Sequence, residues 1–188
     1  MAIRIIGGTL KGRILKAPKG IDITRPILAR VRKSFFDIMR PYLDGAGFCD
    51  LFAGSGAVGI EAVSRGVLSV VFVDKDREAC KCIANNIKYC KIEENCEIHC
   101  DDVFKFLEKA DSAFDVIFAG PPYPLFYGEK ALVSLSGSKV LTQDTKIIVQ
   151  HSQEEKLSEH INNLICYRRE KYGDTILSFF KVIGCFKE

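Results

Sequence analysis

From residue 47 onward, short apolar runs alternate with segments of helical spacing, and this alternation limits the possible folds more than any other feature. Each apolar run has the length of a strand, and each intervening segment carries apolar residues three and four positions apart. Strands are predicted at 47–53, 67–73, 96–100, 115–119 and 146–150, and helices at 58–64, 76–90, 103–109 and 129–135. Because helices separate successive strands, the strands pair in parallel, which predicts a doubly wound α/β sheet.

The two ends of the chain depart from this alternation. Residues 164–172 and 175–183 predict two strands joined by a tight turn, and therefore an antiparallel hairpin at the edge of the sheet. Residues 2–16 predict two short strands, and from Pro26 the apolar spacing predicts a helix. We expect a small basic N-terminal extension of residues 1–44 and a main domain of residues 45–188.

The net charge of +3 hides an asymmetry along the chain. Residues 1–41 contain ten Lys and Arg residues against Asp22 and Asp37, a local charge of +8 that leaves −5 on the remainder. A basic segment on a mildly acidic body suits an anionic partner. A basic face that is merely solvated is the alternative.

Length and composition set few other limits. A chain of 188 residues can bury the core of one domain, and 27% charged residues is ordinary for a globular protein. Arg4 and the glycines after it predict that there is no secretory signal, and no run approaches the roughly 18 apolar residues of a membrane span. A cytoplasmic location is therefore the default expectation. The eight cysteines favour reduced apolar roles and no metal, although Cys90, Cys96 and Cys100 leave a zinc site open.

A glycine-rich loop follows the first predicted strand. Gly54-Ser55-Gly56-Ala57-Val58-Gly59 matches G-x-G-x-x-G, opens a helix, and precedes by 20 residues an acid, Asp74, at the end of the second strand. Glycines let a backbone approach a ligand, and an acid at that position binds ribose hydroxyls. The loop therefore predicts a cofactor of the adenosine type, with a purely structural glycine turn as the alternative.

The charges around this loop favour one cofactor over others. A pyrophosphate, as in NAD or FAD, prefers helix N–H groups without a neighbouring anion. Asp50 stands four residues before Gly54, where an anion suits the cationic amino and sulfonium groups of S-adenosylmethionine (SAM). Asp101-Asp102 follows the third strand, where an acid can read the adenine amino group or simply cap a helix.

A second motif ends the strand predicted at 115–119. Gly120-Pro121-Pro122-Tyr123 follows it, and neither proline can donate to a sheet ladder, so the strand stops there. Two stiff prolines and an aromatic residue at a strand end indicate a rigid turn that holds a ligand.

These motifs together resemble SAM-dependent amino methyltransferases: DLFAGSG, an acid after the second strand, an acid after the third, and PPY after the fourth. Three longer segments resemble the RsmD family, which methylates the N2 amine of one guanine in bacterial small-subunit (16S) rRNA. They are TRPILARVRKSFFDIM, CDLFAGSGAVGIEAVSRG and KYGDTILSFFKV. The resemblance runs from about Ile3 to Val182 and implies a Rossmann-like class I SAM methyltransferase sheet.

The resemblance also implies roles for individual residues. Phe52, Gly54, Ser55 and Gly56 would wrap the methionine part of SAM with Asp50 nearby, Asp74 would bind the ribose, and Asp102 and Val103 would hold the adenine. Gly120, Pro121, Pro122 and Tyr123 would form the target-amine pocket, and Arg25, Arg30, Arg32, Lys33 and Arg40 would contact RNA phosphates. The implied partner is small-subunit rRNA, free or in assembled 30S subunits.

One position departs from the family pattern. The residue before the two prolines is Asp or Asn in this family, and its oxygen accepts a hydrogen from the target amine, whereas this chain has Gly120. Loss of one preorganised hydrogen-bonding group slows a reaction about 10²–10³-fold. Three explanations remain open: the protein binds without efficient catalysis, the carbonyls of Gly120 and Pro121 replace the missing oxygen, or the glycine is a change in an otherwise ordinary enzyme.

Three other functions compete with an rRNA methyltransferase. A SAM-binding RNA chaperone or assembly factor would explain Gly120. A DNA adenine methyltransferase shares the glycine loop and PPY, but the compact N-terminal segment and the lack of a separate DNA-reading domain argue against it. An NAD oxidoreductase would leave PPY unexplained.

Overall fold

A computed structural model describes residues 2–18 and 29–184. Its central sheet has eight strands in the order β5-β4-β3-β6-β7-β10-β9-β8. These strands are β3 Gly47–Leu51, β4 Ser69–Val73, β5 Cys96–His99, β6 Val116–Ala119, β7 Lys146–Ser152, β8 His160–Ile161, β9 Leu164–Tyr172 and β10 Thr175–Val182. Five neighbouring strands pair in parallel, in the order β5, β4, β3, β6 and β7. Beyond β7, the strands β10, β9 and β8 are added in antiparallel pairs. The predicted doubly wound sheet with an antiparallel C-terminal hairpin is confirmed.

Helices cover both faces of this sheet. They are α1 Ala29–Met39, α2 Ala57–Ser64, α3 Arg77–Cys90, α4 Val103–Lys109 and α5 Gly128–Ser136. The residues of α1, α2 and α3 join one hydrophobic cluster, while those of α4 and α5 join a second cluster. Alternating side chains of β3, β4, β6 and β7 enter the two clusters, because successive residues of a strand point to opposite faces. None of the helices in the described ranges has the length and apolar character that a membrane crossing needs.

The N-terminal segment packs onto the first of these clusters. Strands β1 Ala2–Arg4 and β2 Ile14–Lys16 form a separate two-stranded antiparallel sheet. Ile5 and Leu15 of this hairpin are buried together with Phe35 and Phe36 of α1 and with the side chains of α2. The hairpin and α1 therefore share a core with the central sheet.

The sheet changes direction of winding at β3. The chain proceeds from β3 to β4 on one side and later returns to β6 on the other side, so β3 lies between them. In open α/β sheets, ligands bind outside the carboxyl ends of the strands at such a switch point. The loops that follow β3 and β6, which contain the two sequence motifs, leave the sheet side by side there.

Candidate active site

The glycine loop after β3 has an unusual backbone. Phe52, Gly54 and Gly56 have φ angles of 60°, 58° and 74°, in the left-handed region that favours glycine. Phe52 is not glycine, and such a conformation costs about 1–3 kcal/mol and is concentrated at ligand sites. Backbone hydrogen bonds stabilise the loop: the N–H of Gly56 donates to the carbonyl of Ala53 at 2.8 Å, and the N–H of Ala53 donates to the carbonyl of Val73 at 3.1 Å.

The third glycine of the loop is required by packing. A Cβ atom on Gly59 would lie 2.3 Å from the ring of Phe72 and 2.8 Å from Val70. Only glycine therefore lets α2 approach β4 this closely. The N-terminus of α2 is held against the sheet, beside the end of β3, where its N–H groups favour a ligand.

Asp50 supports this arrangement from within the core. It is 2% exposed, and its Oδ2 accepts a hydrogen bond from the N–H of Gly59 at 2.9 Å. Burial raises the pKa of Asp50 to about 8; the Gly59 hydrogen bond lowers it, and the negative charge of Asp74 raises it further. A contact between Asp50 and the cationic part of SAM stays a prediction.

The raised pKa of Asp50 predicts a specific pH dependence of stability. Between an ordinary carboxyl pKa of 3.8 and about 8, the folded protein keeps a proton that the unfolded chain releases. The free energy of unfolding should therefore fall as pH rises through this window, by up to about 1.4 kcal/mol per pH unit. Asp50→Asn should lose this slope in urea unfolding at pH 5 and pH 7.5. Asp37→Asn, at an exposed carboxylate, is the control, and equal slopes for Asp50→Asn and the unchanged protein would contradict the prediction.

Asp74 is oriented at the end of β4 by backbone groups. Its Oδ2 accepts from the N–H of Gly54 at 2.8 Å, and its Oδ1 accepts from the N–H of Asp76 at 2.9 Å. The side chain is half-buried. A carboxylate oxygen has two lone pairs, so each oxygen can accept one more hydrogen, as ribose hydroxyls require.

Asp102 and Val103 lie at the start of α4. Asp102 caps this helix, because its Oδ1 accepts from the N–H groups of Phe104 at 3.0 Å and Lys105 at 3.4 Å. Val103 is 2% exposed with its side chain in the core. The residues at this position can thus offer adenine the second oxygen of Asp102 and the backbone of Val103.

The proline turn lies next to the glycine loop. The N–H of Gly120 donates to the carbonyl of Leu51 at 3.2 Å, which extends the pairing of β6 with β3 by one step. Pro121 is buried and Pro122 is half-buried. A Cβ atom on Gly120 would lie 3.1 Å from the ring of Phe118. The ring of Phe118 thus partly fills the space that a side chain at position 120 would need.

Three aromatic rings lie together at the carboxyl ends of the parallel strands. The centroids of Phe52 and Phe104 are 6.2 Å apart, and those of Phe104 and Tyr127 are 5.5 Å apart. The Nζ of Lys130 lies 3.9 Å from the Phe104 centroid, a distance typical of a cation–π contact. Phe52 belongs to a sequence motif, whereas Phe104 in the first turn of α4 and Tyr127 just before α5 belong to none.

The cations predicted to contact RNA differ in their exposure to solvent. Arg30, Lys33 and Arg40 are exposed along α1 and the turn after it. Lys33 forms an exposed ion pair with Asp37 at 2.6 Å. Arg25 lies outside the described residues. Arg30, Lys33 and Arg40 remain candidates for phosphate contacts.

The prediction for Arg32 is wrong. Its side chain is 1% exposed, and its Nε lies 2.8 Å from Oε2 of Glu61, which is itself fully buried. The guanidinium also donates to the carbonyl of Arg4. Arg32 thus joins α1 to α2 and to the hairpin, and no part of it is available to a phosphate.

Asn86 is a buried polar residue that was not predicted from the sequence. Its Nδ2 donates to the carbonyl of Ser55 in the glycine loop at 3.0 Å and to that of Lys16 at 2.9 Å. Its Oδ1 accepts from the N–H of Lys16 at 2.9 Å. Asn86 lies on the apolar face of α3, between Ile83 and Ile87. A polar residue on such a face indicates a buried hydrogen-bonding role, and this pattern could have identified Asn86 from the sequence.

Within residues 2–18 and 29–184, no group of three or more His, Cys, Asp and Glu side chains is arranged to hold a metal ion. Cys90 is buried, Cys96 half-buried and Cys100 exposed.

Comparisons with known proteins agree on one family. The family described as conserved hypothetical protein 95 matches residues 3–181. The "Putative rRNA methyltransferase YlbH" of Bacillus subtilis is 36% identical over 97% of this chain and 100% of its own length. The "Ribosomal RNA small subunit methyltransferase D" of Escherichia coli K12 is 28% identical over 95% of this chain and 89% of its length. A solved structure, "Putative methyltransferase yhhF from Escherichia coli", superposes with a TM-score of 0.85 at 26% identity, covering 98% of this chain and all of that one.

Proposed function

The chain belongs to the RsmD family of SAM-dependent methyltransferases, and from this premise we propose that it methylates the exocyclic N2 amine of a guanine in 16S rRNA. The observation that carries the proposal is the side-by-side position of the glycine loop and the proline turn at the switch point of the sheet. A cofactor on the first and an amine in the second would lie next to each other. The proposal includes a cytoplasmic location, where small ribosomal subunits are the substrate.

In the proposed complex, SAM lies across the carboxyl ends of β3, β4 and β5. The loop of Phe52, Gly54, Ser55 and Gly56 holds the methionine part, and Asp74 accepts hydrogen bonds from the ribose hydroxyls. The adenine lies against Asp102 and Val103. The oriented carboxylate of Asp74 and the left-handed glycine backbone support this arrangement.

The proposed reaction is a direct displacement. The lone pair of the guanine N2 attacks the methyl carbon, the bond from that carbon to sulfur breaks, and neutral S-adenosylhomocysteine leaves. The amine then releases one proton to water. Such a reaction depends on aligning the nitrogen, carbon and sulfur, and correct positioning supplies most of the rate.

The proline turn supplies the positioning groups. The carbonyls of Gly120 and Pro121, fixed by two rigid rings, accept the hydrogens of the amine in this proposal. Tyr123 stacks on the guanine, which must leave its own base stack to reach the pocket. Support comes from the hydrogen bond that fixes the backbone of Gly120 beside β3.

The test is methyl transfer from labelled SAM to small ribosomal subunits that lack the modification. We expect label in one guanine of 16S rRNA, and competition by S-adenosylhomocysteine but not by NAD. Labelling of DNA adenine would favour the DNA methyltransferase instead. The absence of label in any nucleic acid, with SAM bound, would contradict the proposal.

Gly120 favours a second candidate, a protein that binds SAM and RNA without efficient transfer. The amine pocket has one acceptor fewer than the family pattern implies, and Phe118 partly fills the space. Binding of both ligands without turnover would select this candidate.

The exposed cations of α1 give a prediction about RNA binding. Replacing Arg30, Lys33 and Arg40 with alanine should weaken binding and reduce the slope of log K against log salt by about 2–3, because three phosphate contacts would be lost. The choice of target base should not change.

The control for this prediction removes the same charge elsewhere. Lys81, Lys88 and Lys109 are exposed on α3 and α4, and their replacement with alanine should leave the salt slope unchanged. Equal losses in the two triple variants would mean that only net charge matters and would contradict an RNA surface on α1.

A further inference from the structure

We propose that Gln150 is a positioning residue that holds the ring of Tyr123 in place for the target base. The proposal rests on the proposed function, because it assigns Tyr123 to the target-base pocket. We call Gln150, Tyr123 and Thr175 the tyrosine clamp.

The hydroxyl of Tyr123 is bound from two sides. The Nε2 of Gln150 donates to it at 3.0 Å, and the Oγ1 of Thr175 lies 2.8 Å from it. Because the hydroxyl oxygen accepts the hydrogen of Gln150, its own hydrogen can go to Thr175. Gln150 is 7% exposed and Thr175 is 9% exposed, so water competes little for these bonds.

The clamp lies beside the proline turn. Ala119 pairs with Val149, so Gln150 is the next residue on β7, alongside Gly120 at the end of β6. Thr175 pairs with Ser152 at the start of β10, also at this edge of the sheet. Pro121 and Pro122 restrict the backbone that leads into Tyr123. The ring is therefore held at both ends, by stiff backbone at one and by the clamp at the other.

An unmatched polar atom separates this role from simple packing. The Oε1 of Gln150 is buried and has no hydrogen-bond partner among the described residues. A buried polar atom without a partner destabilises a folded protein. If Gln150 only filled space, an apolar residue of similar size would serve better. The contact that such an apolar residue could not make is the Nε2 hydrogen bond to Tyr123.

The chemical benefit is orientation of the base. A guanine stacked on a ring lies parallel to that ring, so the orientation of Tyr123 sets the orientation of the base. The in-line reaction tolerates little error in this orientation, since a displacement of 1 Å can cost about 100-fold in rate. Release of the hydroxyl would leave Tyr123 present but free to rotate. SAM binding, which in the proposed complex depends on the segments after β3, β4 and β5, would be unaffected.

Two variants of Gln150 test the clamp. Gln150→Leu removes the hydrogen bond, whereas Gln150→Glu keeps an oxygen that can accept the hydrogen of the Tyr123 hydroxyl. The control is Asn163→Leu, because Asn163 carries the other buried oxygen without a partner among the described residues. Asn163 lies between β8 and β9, at the opposite edge of the sheet.

Three quantities are measured for each variant: the rate of methyl transfer to unmethylated small subunits, the affinity for SAM, and the fluorine NMR spectrum of protein labelled with 3-fluorotyrosine. Tyr123→Phe identifies the signal of Tyr123. We expect Gln150→Leu to shift that signal and to lower the transfer rate about 10-fold to 100-fold. SAM affinity and Tm should not fall, and Gln150→Glu and Asn163→Leu should behave much like the unchanged protein.

Each other outcome has a defined meaning. An unshifted Tyr123 signal or an unchanged rate in Gln150→Leu overturns the clamp. Unfolding of Gln150→Leu with loss of SAM binding overturns it too, because Gln150 would then be a structural residue. If the unchanged protein binds SAM but transfers no methyl group, the proposed function fails, and the fluorine signal alone decides whether Gln150 holds Tyr123.

Discussion

Arg32→Met is expected to lower the free energy of unfolding by about 3–5 kcal/mol, the cost of removing one partner from a buried ion pair. Arg32 and Glu61 are 1% and 0% exposed, and their atoms meet at 2.8 Å. Without Arg32, Arg65 is the one charged partner left to the Glu61 carboxylate among residues 2–18 and 29–184. The carbonyl of Arg4 also loses a donor. Tm should fall by roughly 6–20 °C for a domain of this size.

The adjacent residue provides a matched control for this prediction. Lys33 lies on the same helix with its side chain 67% exposed, and Lys33→Met should change stability by no more than about 0.5 kcal/mol. Urea unfolding of both variants measures the difference. The double variant Arg32→Met with Glu61→Leu should recover part of the loss, because no buried carboxylate remains. A loss below about 1 kcal/mol in Arg32→Met would mean that Arg65 alone compensates Glu61, contrary to our expectation.

Gly120→Asn is expected to raise the rate of methyl transfer about 10²–10³-fold, since it restores one preorganised acceptor for the target amine. The N–H of residue 120 already donates to the carbonyl of Leu51, so the backbone that carries the new side chain is fixed. The Cβ atom requires the Phe118 ring to move by a few tenths of an ångström from its present 3.1 Å. We expect the free-energy cost of moving the ring to be smaller than the stabilisation of the transition state by the new hydrogen bond.

Gly120→Ala separates the two effects of this substitution. Alanine adds the same Cβ atom against Phe118 but no oxygen, so its transfer rate should not rise. Single-turnover rates with saturating SAM measure transfer without product release. Equal rates for the asparagine variant and the unchanged protein would indicate that the backbone carbonyls already suffice. A slower asparagine variant would indicate that the displaced Phe118 ring matters more than the acceptor.

Most of the fold could be predicted because its signals are local. Strand and helix periodicity, with the glycine and proline motifs as boundaries, predicted the strands from β3 to β7 and the final hairpin to within about two residues. The glycine motif marked the loop after β3, but the left-handed backbone of Phe52 within it was not predicted. The two-residue strand β8, His160–Ile161, was missed, because its pairing with β9 depends on a neighbour rather than on its own pattern.

The parts that could not be predicted are pairs of distant residues. Arg32 resembled the exposed cations around it, and its partner Glu61 is 29 positions away on another helix. Nothing in the sequence pattern links Gln150 or Thr175 to Tyr123. The parallel pairing of β7 with β6 brings Gln150 to it, and the antiparallel addition of β10 to β7 brings Thr175. Propensity and spacing describe one segment at a time, so contacts that arise from the order of strands in a sheet are not available to them.

The amide of Asn86 has a consequence for how this chain can be divided. It binds the glycine loop through Ser55 and the N-terminal hairpin through Lys16, so a single side chain joins the segment proposed for RNA to the segment proposed for the cofactor. A shortened chain that began after the hairpin would deprive the Asn86 amide of both its hydrogen bonds to Lys16, beneath the glycine loop. The N-terminal segment is therefore not a detachable module that could be exchanged for another targeting sequence, and any change of substrate by recombination would have to bring both segments together.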